Sequence, residues 1–144
     1  MSSKLPILMC LGVVLLLTTA GCRAEDSNEA AVNEAVSAAE SWLGVVDSGE
    51  YGKSWDQSSE LFRNAVSRAE WEQSLNAARR PFGALVSRKL KSTRFATSLP
   101  GAPDGEYVVI QFEASFGNKR ASVETVTPML EKDGQWRVSG YFIK

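Results

Sequence analysis

The chain has no histidine. That removes the commonest general base and the commonest metal ligand, which disfavours His-based catalysis and metal-dependent chemistry alike. Cysteine is nearly as scarce: the two present, Cys10 and Cys22, both lie at the N-terminal end, so the folded part has neither a disulfide nor a thiol nucleophile. There is no glycine-rich phosphate loop and no metal-ligand spacing, and nothing calls for a cofactor. Surplus charge is missing too. A formal net charge of −1 gives no long-range pull on nucleic acid or on an anionic membrane. What remains is 44% hydrophobic and 23% charged, the balance of a folded domain, in a 144-residue chain long enough for one domain and not for two.

The N-terminus reads as a targeting segment. Lys4 supplies a positive charge, and the apolar run Leu5–Leu17 falls short of the roughly 20 residues a spanning helix needs. Thr18-Thr19-Ala20-Gly21-Cys22 then places small residues before a cysteine, as a signal peptide does. Ala20, Gly21 and Cys22 resemble the lipobox of bacterial lipoproteins, with Thr19 standing where Leu is usual. The resemblance implies removal of residues 1–21, a lipid on the Cys22 sulfur and anchorage in the cell envelope. Arg23, not Asp, follows the cysteine, which under the enteric sorting rule implies the outer membrane, facing the periplasm. An ordinary secretory signal is the alternative. Residues 22–28 are small and polar, a lipidated tether, and the domain is expected over 29–144.

The first half of that domain has helical spacing. Asp26 and Glu29 form an expected capping box, after which Val32, Val36, Ala39, Leu43 and Val46 recur on one face until Asp47-Ser48-Gly49. Short helices are expected near Tyr51–Ser58 and Leu61–Ala65. Ser67 and Glu70 form a second capping box, opening a helix with Trp71, Leu75 and Ala78 inside and Glu72, Gln73 and Arg79 outside, stopped by Pro81 and Gly83. Trp42, Trp55 and Trp71 fall in register with aliphatic neighbours, which favours core anchors over a ligand cage.

The second half reads as strands. Leu85–Leu99, with Arg88, Lys89, Lys91 and Arg94, suits a basic sheet edge better than a nucleic-acid patch, because no aromatic residues interleave the charges. After the Pro- and Gly-rich loop 100–105 come Glu106–Phe116, Lys119–Lys132 and Gln135–Lys144. Asp133-Gly134 is read as a two-residue hairpin turn, and Gly117-Asn118 as a weaker one. The fold class is therefore α+β, with N-terminal helices packed on one face of a four-stranded antiparallel meander.

Two-residue turns at both positions pair Phe112 with Val123, Ile110 with Thr125, Val109 with Val126, Val126 with Tyr141, and Glu131 with Trp136. One face then holds Val108, Ile110, Phe112, Ala114, Val123, Thr125, Thr127, Met129, Trp136, Val138 and Phe142, and the helices are expected to cover it. The other face lines up Val109, Val126 and Tyr141 beside Tyr107, Leu130 and Ile143, rimmed by Glu113, Glu124 and Arg137. An apolar stripe inside a charged rim marks a candidate interface for a protein partner or a second copy. Glu113 and Glu124 as an acid–base pair are the catalytic alternative, disfavoured against solvated carboxylates countered by Arg120 and Arg137. No catalytic residue and no metal ligand is assigned.

Several segments resemble the bacterial family known as domain of unknown function 4019. They are Asp47–Tyr51 with Ser54-Trp55, Leu99–Val109, Val123–Thr127 and Trp136–Lys144. The resemblance implies a small secreted or lipid-anchored envelope protein. The family has no assigned activity, so no functional residue carries over. By fold-level analogy the layout is also similar to the cystatin-like and nuclear transport factor 2-like cone folds, which host binders and enzymes alike. The expected function is a non-enzymatic binding or interaction module. The alternative is a small-molecule binder, or an isomerase- or dehydratase-like enzyme, using a helix–sheet pocket.

Overall fold

The computed structural model of the chain describes residues 21–144, and all but the last residue of the expected signal segment lies outside them. Four α-helices precede a four-stranded antiparallel sheet in the order β1-β2-β3-β4, an α+β meander. The helices are α1 (Gly21–Asp47), α2 (Tyr51–Asp56), α3 (Glu60–Ala65) and α4 (Arg68–Ala78); a 3₁₀ turn follows at Arg80–Phe82. The strands are β1 (Leu85–Ala96), β2 (Tyr107–Phe116), β3 (Lys119–Leu130) and β4 (Trp136–Ile143).

α1 packs against all four strands. Its buried stripe is Ala35, Ala39, Trp42, Leu43 and Val46, the helical spacing read from the sequence. Its start is not where the capping box placed it. Asp26 lies inside the helix, and Ser27 Oγ donates back to Ala24 O at 2.9 Å instead of capping. Nothing between Gly21 and Asp26 breaks a helix, so the turn propagates back through the residues expected to form a tether. Gly49, at φ +79°, takes the left-handed position that ends α1. The Ser67–Glu70 capping box of α4 is present in both directions.

The tryptophans anchor the helices to one another. Trp42 Nε1 donates to Ser54 O at 2.8 Å and Trp71 Nε1 to Ser54 Oγ at 2.9 Å, so buried Ser54 serves both rings. Trp55 is half-buried and donates to Val66 O. Phe62 meets Trp71 edge-on with centroids 4.9 Å apart, and Tyr141 from β4 lies 5.4 Å from Trp42. These aromatic rings pack between the helices and the sheet and leave a cavity of about 220 Å³ between α1 and β4, beside Trp42 and Trp136.

The sheet departs from the expected register at two bulges. The Gly117-Asn118 turn does pair Phe116 with Lys119, as expected. β3 then carries one extra residue between Lys119 and Ser122, so Phe112 faces Glu124 and Ile110 faces Val126. One residue of slip turns a strand over. Ser122, Glu124, Val126 and Pro128 therefore face the helices, and Val123, Thr125, Thr127 and Met129 face away.

β4 changes sides along its length. Asp133-Gly134 is not a two-residue turn, because only Gly134 has positive φ, at +81°. The loop spans three residues and closes through Glu131 N to Gln135 O at 2.9 Å, which pairs Leu130 with Trp136. A bulge at Ser139 restores the expected pairs Thr127–Gly140, Val126–Tyr141 and Glu124–Ile143. Trp136 and Val138 face the core as expected, whereas beyond the bulge Tyr141 faces in and Phe142 faces out. Pro128, which has no N–H for the ladder, sits beside this bulge.

Candidate functional site

The register shift redistributes the residues singled out from sequence. Val126 and Glu124 have no exposed surface, and Tyr141 is packed against Trp42 and Trp71. None of the three belongs to an outer stripe. Of the expected interface, Val109 and Arg137 are half-buried on the outer face and Glu113 is exposed there. Tyr107 also starts on the outer face, but the preceding loop folds over it and its hydroxyl donates to Pro103 O at 2.6 Å. Its phenol is raised above the ordinary tyrosine value by burial first and by Asp104 second. Arg137 is tied to Glu131 at 2.9 Å and to Asp133 at 2.8 Å.

Glu113 and Glu124 project from opposite faces, so they form no acid–base pair. Their counter-charges also differ from those expected: Lys91 lies 4.0 Å from Glu113, and Arg88 holds Glu124.

Glu124 is the centre of a cluster that the sequence did not announce. Arg88 of β1 donates Nε to Glu124 Oε2 at 2.7 Å and Nη1 to Asp47 Oδ2 at 2.7 Å, bridging β3 to the end of α1. Arg79, just past α4, reaches Asp47 through Nη2 and stacks 4.2 Å from the centre of the Phe116 ring. Tyr141 Oη donates to Glu124 Oε1 at 2.6 Å. Arg79 was expected outside, but four residues past buried Leu75 it falls on the same helical face and is 4% exposed.

The charges of this cluster balance, although Arg79 Nε, 3.9 Å from Glu124 Oε1, is buried without a hydrogen bond. Two arginines balance two carboxylates, and each carboxylate accepts from more than one donor. The Arg88 guanidinium is held charged by the hydrogen bonds and charges of Asp47 and Glu124, which outweigh the opposing effect of burial. Burial, with Glu124 behind it, pushes the Tyr141 phenol well above its ordinary range. The arrangement acts as a clamp joining α1, the end of α4, β1, β3 and β4. Asp47 at the C-terminal end of α1 opposes the helix dipole, and the two arginines offset it.

The open surface is on the other side of the sheet. One end of the outer face carries a cavity of about 470 Å³, lined by Ser87 and Lys89 of β1, Glu113 and Ser115 of β2, Arg120 and Val123 of β3, and Lys144. The β3 bulge, Arg120-Ala121, forms part of its wall. Phe142, 59% exposed, is the large apolar side chain of this face most open to solvent. A second cavity, of about 570 Å³, lies between α3, the loop before β2 and the β3–β4 turn, over Leu61, Pro103, Met129 and Leu130. Among the described residues no group of His, Cys, Asp and Glu is placed to hold a metal, and no helix is long and apolar enough to cross a membrane.

Neither the curated proteins nor the solved structures contain a match to this chain. A family pattern does match it, over residues 38–141, which takes in the last part of α1, the clamp and nearly all of the sheet. The chain belongs to the family described as protein of unknown function DUF4019.

Proposed function

We propose that the protein is a lipid-anchored binding module of the bacterial cell envelope, held through Cys22 and working through the outer face of its sheet. The carrying observation is the division between the two faces. The ionisable groups under the helices are spent on one another, and the space beside them is filled by Trp42, Trp71, Phe62 and Tyr141. That counts against a catalytic helix–sheet pocket. The outer face keeps an open cavity and exposed Phe142, with Val109, Val123, Thr125 and Thr127 half-buried around them. A mixed apolar and polar surface of this kind suits a protein contact, with a second copy or with another envelope protein.

The anchor supports the same reading. Two or three acyl chains on Cys22 would hold the chain firmly, each buried CH₂ contributing about 0.8 kcal/mol. α1 ends, at Asp47, beside the sheet end that carries the 470 Å³ cavity, so its N-terminus runs toward the opposite end.

Two measurements test this. Cells fed a labelled fatty acid should yield a labelled protein, and Cys22→Ser should lose the label; an unlabelled wild-type chain discards the anchor. In-cell crosslinking should trap a partner, and Phe142→Glu should lose it without changing the melting temperature. Crosslinks that survive Phe142→Glu and Val123→Glu together discard the outer face as the working surface.

A further inference from the structure

We infer that the 470 Å³ cavity on the outer face is a binding site for a phosphate-bearing ligand. The inference rests on the reading of that face as the working surface and names what part of it holds. Three side-chain cations, Lys89, Arg120 and Lys144, line one cavity with one side-chain carboxylate, Glu113. None of the three makes an ion pair among the described residues, whereas Glu113 already has Lys91 at 4.0 Å. The contrast with the clamp is informative. Arg79, Arg88 and Arg137 all have carboxylate partners, whereas Arg120 has none among the described residues.

The lining supplies more than charge. Ser87 and Ser115 line the same wall as the cations, and Val123 provides an apolar patch. The wall includes the β3 bulge, where the ladder is interrupted and Arg120 and Ala121 stand two against Ser115 alone. Bulges recur beside functional sites because they re-aim a side chain that a regular strand would fix. Without the bulge Arg120 would sit in the regular alternation of β3. Three cations with serine hydroxyls offer more donors than the two oxygens of a carboxylate accept, and they suit the three or four oxygens of a phosphate. The volume lies within the range of small-ligand sites and admits a phosphate with a modest body attached.

Two sources would present this chemistry: free phosphate or its monoesters, and the phosphodiester of a lipid headgroup. Full-length protein in a neutral detergent, labelled with ¹⁵N, is titrated with inorganic phosphate and separately with glycerophosphoglycerol. Saturable amide shifts are expected at residues 87–89, 113–115, 120–123 and 144. Lys89→Gln with Arg120→Gln should weaken binding at least about tenfold, the loss expected for one charge-assisted hydrogen bond. Arg94→Gln with Lys132→Gln removes the same charge away from the cavity and should leave the affinity within about twofold, since exposed charges at that distance are screened. Tighter binding of the diester assigns a lipid headgroup, and tighter binding of phosphate assigns a monoester or free phosphate. Shifts that never saturate, or equal losses in both double variants, overturn the site. Phosphate binding that survives Phe142→Glu while the crosslinks vanish separates this site from the protein contact, so each fails on its own evidence.

Discussion

Glu124 shows how much one side chain decides. It is wholly buried, bound by Arg88 and Tyr141, and it occupies a strand position that an alternation count puts in water. Replacing a buried ion pair by apolar groups is often tolerated, but removing one partner strands the other charge. Glu124→Gln should therefore cost about 3–5 kcal/mol in a urea titration, whereas Glu124→Leu combined with Arg88→Met should recover most of that loss. A double variant as unstable as the single one would show that the clamp, rather than the uncompensated charge, carries the stability. Tyr141 gives a pH signature. Its folded value lies above the ordinary 10.0, so the neutral phenol contributes its full stabilisation below that pH and the contribution is lost as pH rises past it. The wild-type melting temperature should fall above about pH 10, and Tyr141→Phe should flatten that alkaline limb while lowering stability at neutral pH by about 1.5–3 kcal/mol, the range for a hydrogen bond to a charged group.

Among the elements, β3 and β4 carry the decisive irregularities. The β3 bulge puts Val126 between Ile110 and Tyr141 under the helices. Val126→Glu should therefore unfold the domain rather than disrupt an interface, because a charge with no partner would be buried at a site with no exposure. A soluble, folded Val126→Glu variant by circular dichroism would return Val126 to the surface. The β3–β4 loop depends on Gly134 at φ +81°. Gly134→Ala should cost about 1–2 kcal/mol, since a Cβ strains the left-handed conformation even though open space surrounds it. The edge strand β1 shows the opposite kind of control. Val86 and Lys91 bulge out of it, and Lys89, Lys91 and Arg94 line its exposed length, which discourages a second sheet from adding there.

At the scale of the whole molecule, α1 is part core and part exposed extension. From Ala31 onward its residues pack on the domain, whereas residues 24–30 are exposed. Their seven residues of helix amount to about 10 Å at 1.5 Å per residue. Deleting residues 24–29 should leave the thermal midpoint within about 1 °C, because truncation costs what it unburies, and these residues bury nothing. A drop of several degrees would mean that this stretch of helix supports the domain.

The sequence by itself determined the element order, the Ser67–Glu70 cap, the core roles of Trp42 and Trp71, and the inward face of β2. These follow from signals within a few residues of one another: helical spacing, a cap three residues from its partner, alternation in Val108, Ile110 and Phe112. The tertiary structure alone decided which way β3 and the end of β4 face. A bulge adds one residue without changing composition, and Arg120-Ala121 and Ser139 carry no local mark that separates a bulged pair from a regular one. The same ambiguity hid the clamp. Asp47, Arg79, Arg88 and Glu124 are spread over 78 positions and meet only when α1 lies across the sheet. A charged residue reads as solvated until its partners arrive from elsewhere in the chain, just as Val126 and Tyr141 read as outward-facing until the bulges turn them to the helices.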